Sequence, residues 1–454
     1  MPAGRSAPAL LGESWRTASP SAASPVFLPL PPVPFVLFFV PFPSVVRLPL
    51  RRPIGVPCPP GRRGHRIVAD RDLKNRRRNG HRGDGRPRTL PARADAPSIL
   101  GEAPVLVGVE ENIHRSPRRI VDRHAWDPYE GGWSREVTVR ELPVSKTLAG
   151  VNMRLTAGGA RELHWHTANE WAIVLYGSAR ITAIDRDGKS FVADVKKDDL
   201  WYFPSGIPHS IQGLDPDGTE FMLVFDDGNF SESETVLLSD SMAHLPTEVL
   251  AKNFGVAEAA LKNLPKNELF IFQTAVPGSL EADQKAAAGT LGKSSENFAF
   301  RTMQMPPTKR TKSGEVRIVD SNIFKASANV AMAMVTVHPG GLRELHWHPN
   351  ADEWQYYISG KGRMTVVATG NKARTMDFQA GDVGYVEKTL LHYIENTGET
   401  DLIFLEMFKS SFYQDLSLSE WLTHTPPELV KAHLNIDQAT LDAIPRDELV
   451  IVPS

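Results

Sequence analysis

The stretch Arg161-Glu162-Leu163-His164-Trp165-His166-Thr167-Ala168-Asn169-Glu170 returns almost letter for letter as Arg343-Glu344-Leu345-His346-Trp347-His348-Pro349-Asn350-Ala351-Asp352-Glu353. A further histidine follows each glutamate at the same distance, 39 residues on: His209 after Glu170 and His392 after Glu353. A chain that carries three histidines and one glutamate twice, at matched spacings, is expected to fold as two copies of one unit. The offset between copies is 182 residues at the first histidine and 183 at the last, the extra residue falling between the second histidine and the glutamate.

His164 and His166 are two apart, which on a strand places both imidazoles on one face and sends Trp165, and likewise Trp347, to the other. The residues between the histidine pair and the glutamate read as a turn, so each glutamate opens the next strand. A turn absorbs one extra residue without moving that strand. Three neutral imidazoles and a carboxylate suit a divalent transition metal. The candidate ligands are His164, His166, Glu170 and His209 in one copy and His346, His348, Glu353 and His392 in the other. Four protein ligands alone would close a tetrahedral zinc site, whereas an octahedral manganese or iron ion would keep two positions open. The residues do not choose among these metals.

From about Ala149, short β-rich runs alternate with Gly, Pro, Asn and Asp turns, as in all-β barrels or sandwiches. Examples are Trp171–Leu175, Ala179–Ile184, Leu200–Phe203 and Phe221–Phe225, and in the second copy Trp354–Ile358, Arg363–Val367, Val383–Val386 and Leu402–Met407. The repeat continues past the barrel. Residues 244–252 parallel 424–432, a second helical stretch Val256–Leu264 parallels Ile436–Ile444, and Glu268–Phe272 and Glu448–Val452 close each copy as strands. A helical pair carried outside a closed barrel must bury its apolar face elsewhere, and a homo-oligomer is the expected solution. The expected domains are 101–276 and 299–454, joined by a linker at 277–298.

The 454 residues are 41% hydrophobic, ordinary for a chain with packed cores. Charge is uneven: residues 1–100 carry 17 Lys and Arg against 5 Asp and Glu, the remainder 34 against 48. The acidic remainder gives no reason to expect nucleic acid as a partner. The single cysteine, Cys58, excludes an intrachain disulfide. Val26–Val46 is apolar but broken by six prolines, a poor fit to a membrane helix, so no membrane partner is expected. Residues 62–93 are rich in Arg, Gly and Pro and cannot bury a core, so 1–100 is expected to be a disordered extension. A cytoplasmic location is preferred to secretion, which would require the apolar run to act as a signal.

These residues carry a resemblance. From about Gly131 to Ser454 the chain resembles a bicupin of the oxalate decarboxylase family: two tandem cupin (double-stranded β-helix, or jelly-roll) barrels, each followed by a short helical pair. Gly158-Gly159, the His-x-His pair, the glutamate and Gly177 resemble the first cupin motif; Pro204-Ser205-Gly206-Ile207-Pro208-His209 resembles the second; Gly340–Gly360 and Gly381–Asn396 repeat them. The resemblance implies one manganese in each ligand set, oxalate as substrate, dioxygen used without net consumption, and a trimer or hexamer. It also implies that Arg161 and Arg343 hold substrate carboxylate beside the metals. The departures are Glu387 where the second motif has Pro, Thr389 where it has Gly, and Gly213 where Asn is common. The family's usual segment before the first barrel is not evident in residues 1–120.

Oxalate is small and doubly charged, and a metal and a planar guanidinium together match it. Arg161 lies three residues before His164, at the wrong parity to share its face, so its inward aim is taken from the resemblance; the competing role is a salt bridge with Glu162. Breaking the carbon–carbon bond leaves an electron-rich carbon that needs a proton to become formate, hence a general acid. The loop Asp226–Thr235 reads as a lid over the first site, and Glu232 occupies the place of the family's proton-donating glutamate. Ser233-Glu234 follows it where Asn-Ser is more usual. The second copy has no glutamate in the matching Lys409-Ser410-Ser411-Phe412; Glu406, on the preceding strand, matches a second-site glutamate of the family. The expectation is decarboxylation of oxalate to formate and carbon dioxide at the amino-terminal site, with the carboxy-terminal site in support. An oxalate oxidase, or a binding or storage bicupin without catalysis, are the alternatives. The lid glutamate argues against the first and the full set of eight ligands against the second.

Overall fold

The computed structural model describes residues 106–107, 131–232 and 235–453. The extension 1–100, with its apolar run, and Ser233-Glu234 lie outside the described residues. Each copy is a barrel of two antiparallel faces. In the first copy one face runs Gly132–Val137, Ala149–Leu155, Thr219–Phe225, Glu170–Ile184 and Asp199–Phe203. The other runs Ser190–Lys196, the far half of Glu170–Ile184, His209–Gly213 and Gly159–Trp165. The two runs expected at 171–175 and 179–184 are therefore one strand serving both faces. It turns the corner at Gly177, whose φ of +69° favours glycine and where a Cβ would sit 2.0 Å from the Gly218 carbonyl oxygen. The second copy turns at Gly360 and splits the strand into Glu353–Ser359 and Lys361–Ala368.

The runs are apolar without strict alternation because both faces are buried. Ala172 and Val174 point into the first barrel with Phe203 and Phe221, while Trp171 and Ile173 point out and pack with Trp354 and Tyr356 of the second barrel. Val335, Met364 and Phe404 fill the second interior. The seam between barrels is tight: a Cβ on Gly150 would meet the Trp354 ring at 2.4 Å.

Short strands cross the expected domain boundaries. Ala299–Arg301 pairs with Asp199–Phe203 of the first barrel, and Leu106–Val107 pairs in parallel with Val383–Val386 of the second. The stretch 277–298, expected as a linker, instead holds the helix Leu280–Ala287, capped by Ser279 and docked on the first barrel by the Asp283–Arg180 ion pair and by Gln284, whose amide donates to the Val192 carbonyl at 2.9 Å. Its alanines suit a helix better than a tether.

The expected helical pairs are three short turns in each copy: Leu238–His244, Thr247–Phe254 and Glu258–Leu261, then Leu418–Thr423, Pro427–Leu434 and Gln438–Ala443. Val249, Phe254, Trp421 and Leu429 on them are 51%, 49%, 58% and 59% exposed. The closing strands Ile271–Gln273 and Ile451–Val452 then return to pair with Gly159–Trp165 and Leu342–Trp347, the strands that carry the histidine pairs. Among the described residues no helix is long and apolar enough to cross a membrane.

Candidate metal centres

In each barrel the four expected side chains converge. His164, His166, Glu170 and His209 each bring one ligand atom to within 4.8 Å of the others, and so do His346, His348, Glu353 and His392. All eight are at most 5% exposed. Glu170 and Glu353 are the first residues of their strands, and His209 and His392 sit opposite His164 and His346 on the neighbouring strand.

The parity difficulty at Arg161 is resolved by a β-bulge. Arg161 pairs with Ile211 and His164 with His209, so three steps on one strand match two on the other. The extra residue turns Arg161 inward, to 2% exposure, and leaves Leu163 outside at 55%. The second copy repeats the bulge between Arg343 and His346.

The second ring nitrogen of every histidine fixes its tautomer. Nδ1 of His164, His166, His209, His346, His348 and His392 faces the carbonyl oxygens of Glu162, Ala168, Ile207, Glu344, Gln414 and Leu390 at 2.6–2.9 Å. A nitrogen facing a carbonyl must carry the proton, so Nε2 of every ring is the atom turned inward. Burial, and then the arginine beside each, hold His164 and His346 well below the usual histidine range and hence neutral. Each glutamate is tethered by one oxygen: Trp201 Nε1 donates to Glu170 Oε1 at 2.8 Å, and Gln355 Nε2 to Glu353 Oε1 at 2.7 Å. The other oxygen faces the rings. Burial opposes ionisation of Glu170 and Glu353, but the facing imidazoles overcome it and hold both carboxyls well below the usual range.

In the second site Nε2 of His346, His348 and His392 and Oε2 of Glu353 are buried with no hydrogen-bond partner among the described residues, although His392 Nε2 lies 2.8 Å from Glu353 Oε2. Buried lone pairs turned on a common point without donors are costly unless a cation lies between them. A divalent ion taking nitrogen and oxygen ligands fits both sets.

The turn before each fourth ligand is the same. Gly206 N–H donates to the His166 carbonyl and Thr389 N–H to that of His348, both at 2.9 Å, with φ of +76° and +70°. A β-branched residue in this left-handed region costs about 1–2 kcal/mol. Thr389→Gly should therefore raise the unfolding free energy by about 1 kcal/mol after the entropy of the added glycine, read as a higher denaturant midpoint. An unchanged midpoint would show that the turn is not strained. At the third departure, Gly213, a Cβ would lie 2.1 Å from the Thr156 carbonyl oxygen, so asparagine has no room there. Asn396, in the second copy, instead ties the carbonyls of Val337 and Thr400, each at 2.8 Å.

Beside the first cluster, Arg161 Nη2 donates to Glu232 Oε2 at 2.9 Å, with Glu232 6% exposed. Burial raises the Glu232 carboxyl above its ordinary value; Arg161 opposes the rise without cancelling it. The loop is held down by Phe230, stacked on Phe225 and edge-on to His166, and by Arg140, which donates to the Phe230 carbonyl at 2.9 Å. Glu162 is not the partner of Arg161. Its carboxylate accepts from the backbone N–H groups of Ser239, Leu269 and Phe270.

The second site is built differently. Arg343 donates to Glu406 at 3.1 Å, to the Tyr413 hydroxyl at 2.8 Å and to Asp415 at 2.7 Å. Burial raises the Glu406 carboxyl, and Arg343 opposes it; Asp415 resists the same burial, held below the usual range by Arg343. Tyr413 and Asp415 are absent from the residues singled out in the sequence. They follow Lys409-Ser410-Ser411-Phe412 directly, in a loop too different from its counterpart for the repeat to align them. Glu162 and Glu344 had a visible signal, since the repeated motif keeps both.

A family model described as Cupin matches residues 124–262 and 302–442. The chain is 52% identical over 323 residues to oxalate decarboxylase OxdC of Bacillus subtilis (strain 168), covering 71% of this chain and 83% of that protein. It is 39% identical to a probable oxalate decarboxylase of Arthroderma benhamiae, covering 71% of this chain and 79% of that one. A solved structure of the Bacillus subtilis oxalate decarboxylase, studied for its Mn(II) centers, superposes with a TM-score of 0.69 at 51% identity, covering 72% of this chain and 85% of that one. Two barrels, two ligand clusters and relatives that match along both copies lead to one conclusion: the chain belongs to the cupin family, as a bicupin of the oxalate decarboxylase group.

Proposed function

We propose that this protein converts oxalate to formate and carbon dioxide at its amino-terminal site, with Glu232 as the proton donor. The observation that carries this is the buried Arg161–Glu232 pair beside the ligand cluster, close enough to act electrostatically on His164, His166 and Glu170. His164, His166, Glu170 and His209 would hold manganese, which would supply a Lewis-acidic cation for a small dianion, with dioxygen as a co-catalyst that is not consumed. Arg161 takes the substrate carboxylate in planar, charge-assisted geometry. Once carbon dioxide has left, the remaining carbon holds the bonding electron pair. Glu232 gives it one proton, formate departs, and solvent returns the proton to Glu232. Phe225 and Phe230 keep water from the reacting carbon while the loop is down. At the second site Arg343 already has two carboxylates and a tyrosine, so His346, His348, Glu353 and His392 would hold a metal in a supporting role, with Glu406 paired to Arg343.

We propose further that the exposed apolar side chains of the helical turns are buried in a homo-oligomer, a trimer or hexamer. The test of the function is incubation of the manganese-loaded protein with oxalate. Formate and carbon dioxide should appear in equal amounts with little peroxide. Peroxide in place of formate would make the protein an oxidase.

A further inference from the structure

Arg161 has a second partner besides Glu232. Its Nη1 donates to the Phe270 carbonyl at 3.2 Å, and its Cζ lies 4.0 Å from the centre of the Phe270 ring. Phe270 is 1% exposed and has φ +53°, a conformation that residues with a Cβ seldom adopt. Glu162, next to Arg161 in sequence, holds it there. The Phe270 N–H donates to Glu162 Oε1 at 2.6 Å, and the Glu162 N–H donates back to the Phe270 carbonyl at 3.1 Å.

The second copy has the same backbone device with a different side chain. Val450 has φ +63°, its N–H donates to Glu344 Oε1 at 2.6 Å, and the Glu344 N–H donates to its carbonyl at 3.0 Å. Among the described residues no aromatic ring takes Arg343 on its face, and Arg343 Nη1 has no hydrogen-bond partner. The clamp itself is thus common to both barrels, while the grip on the arginine belongs to the first. A strained residue retained at a site is a reason to ask what it does there.

We infer that Phe270 is a positioning residue for Arg161, holding the guanidinium by its Nη1 and by a ring face so that it passes from Glu232 to the substrate carboxylate without moving. The inference rests on the proposed role of Arg161. A guanidinium fixed on one side by a carbonyl and a ring face loses little freedom when it takes up substrate. If Arg161 were held by Glu232 alone, opening the loop would release it.

The test compares Phe270→Leu with Phe270→Tyr in the manganese-loaded full chain. An aliphatic residue is already accommodated at the matching position of the second copy, and tyrosine keeps the ring. KM for oxalate should rise about tenfold in Phe270→Leu, with metal content unchanged and kcat changed far less, and stay within about twofold in Phe270→Tyr. The oxalate dissociation constant by calorimetry should follow KM. Should Phe270→Leu not fold, Phe270→Met removes the ring in the same way. An unmoved KM in the ringless variants, or an equal loss with tyrosine, would overturn the inference. Arg161→Lys separates it from the reading beneath. A wild-type KM there removes the carboxylate role of Arg161, whereas a raised KM there with an unmoved KM in Phe270→Leu removes only the role of Phe270.

Discussion

Glu232→Gln should lower formate production by about 10²–10⁴-fold, the range for removing a positioned general acid, while both metal sites keep their ions. The amide is nearly the shape of the acid and can still accept from Arg161, so the loop has no reason to open. What it lacks is a transferable proton. The environment favours that proton: burial outweighs the neighbouring Arg161 and raises the Glu232 carboxyl. The sign of the pH dependence follows. A carboxyl raised in the folded protein is protonated on the acid side of its folded value and ionises as pH rises through it. Turnover should therefore fall on the alkaline limb, and Glu232→Gln should flatten that limb in its residual activity. The same linkage predicts that any stability Glu232 contributes is present below its ordinary value and lost as pH rises through the raised one. The products should be quantified together, because a variant that breaks the carbon–carbon bond without protonating carbon releases carbon dioxide without formate. Near-normal formate from Glu232→Gln would end the assignment.

Much of this site was legible from spacing. A His-x-His pair puts two rings on one face of a strand, a turn of variable length delivers the glutamate, and a distant strand closes the set. These features are local or repeat-encoded, and the structure brings all eight side chains together. Parity alone would have sent Arg161 to the surface. A bulge depends on how two strands pair, and nothing in one strand announces it. Tyr413 and Asp415 were missed for another reason. The loop that carries them joins the same two elements as the Glu232 loop but takes its own path, so the repeat that reveals the ligands is silent about their neighbours. The linker failed on composition. Ala, Gly and Ser suggested a tether, whereas Ser279 caps a helix and Asp283 pairs with Arg180. Phe270 could not be found at all by motif, because its grip on Arg161 is a matter of one backbone conformation and the strand that returns it to the histidines.

The unequal construction of the two sites leads to the second large effect. Glu170→Gln should lower bound manganese from about two ions per chain to about one, and abolish formate production with it. Glutamine can keep the Trp201 bond through its oxygen, and its NH₂ group then faces the Nε2 atoms of His166 and His209, which Glu170 Oε2 approaches at 3.2 Å. The amide would satisfy those nitrogens itself and stand where a cation belongs. Changes to groups that merely orient ligands cost about 10–100-fold in metal affinity, so exchanging a ligand charge for a donor should cost more. Glu353→Gln makes the same change in the other barrel, where Gln355 tethers the glutamate. It should also leave about one ion per chain, yet retain most of the turnover, because Arg161, Glu232 and their cluster are untouched. Dialysis against low free manganese, metal analysis and a formate assay on both variants decide the matter. If Glu353→Gln lost turnover while its first site stayed loaded, the carboxy-terminal barrel would have to take part in the reaction, and Arg343, Glu406 and Asp415 would be the residues to examine for it. If Glu170→Gln kept turnover with only its second site loaded, the chemistry would move there outright. The geometry argues otherwise, since an arginine already paired with Glu406 and Asp415 has little positive charge to offer a dianion.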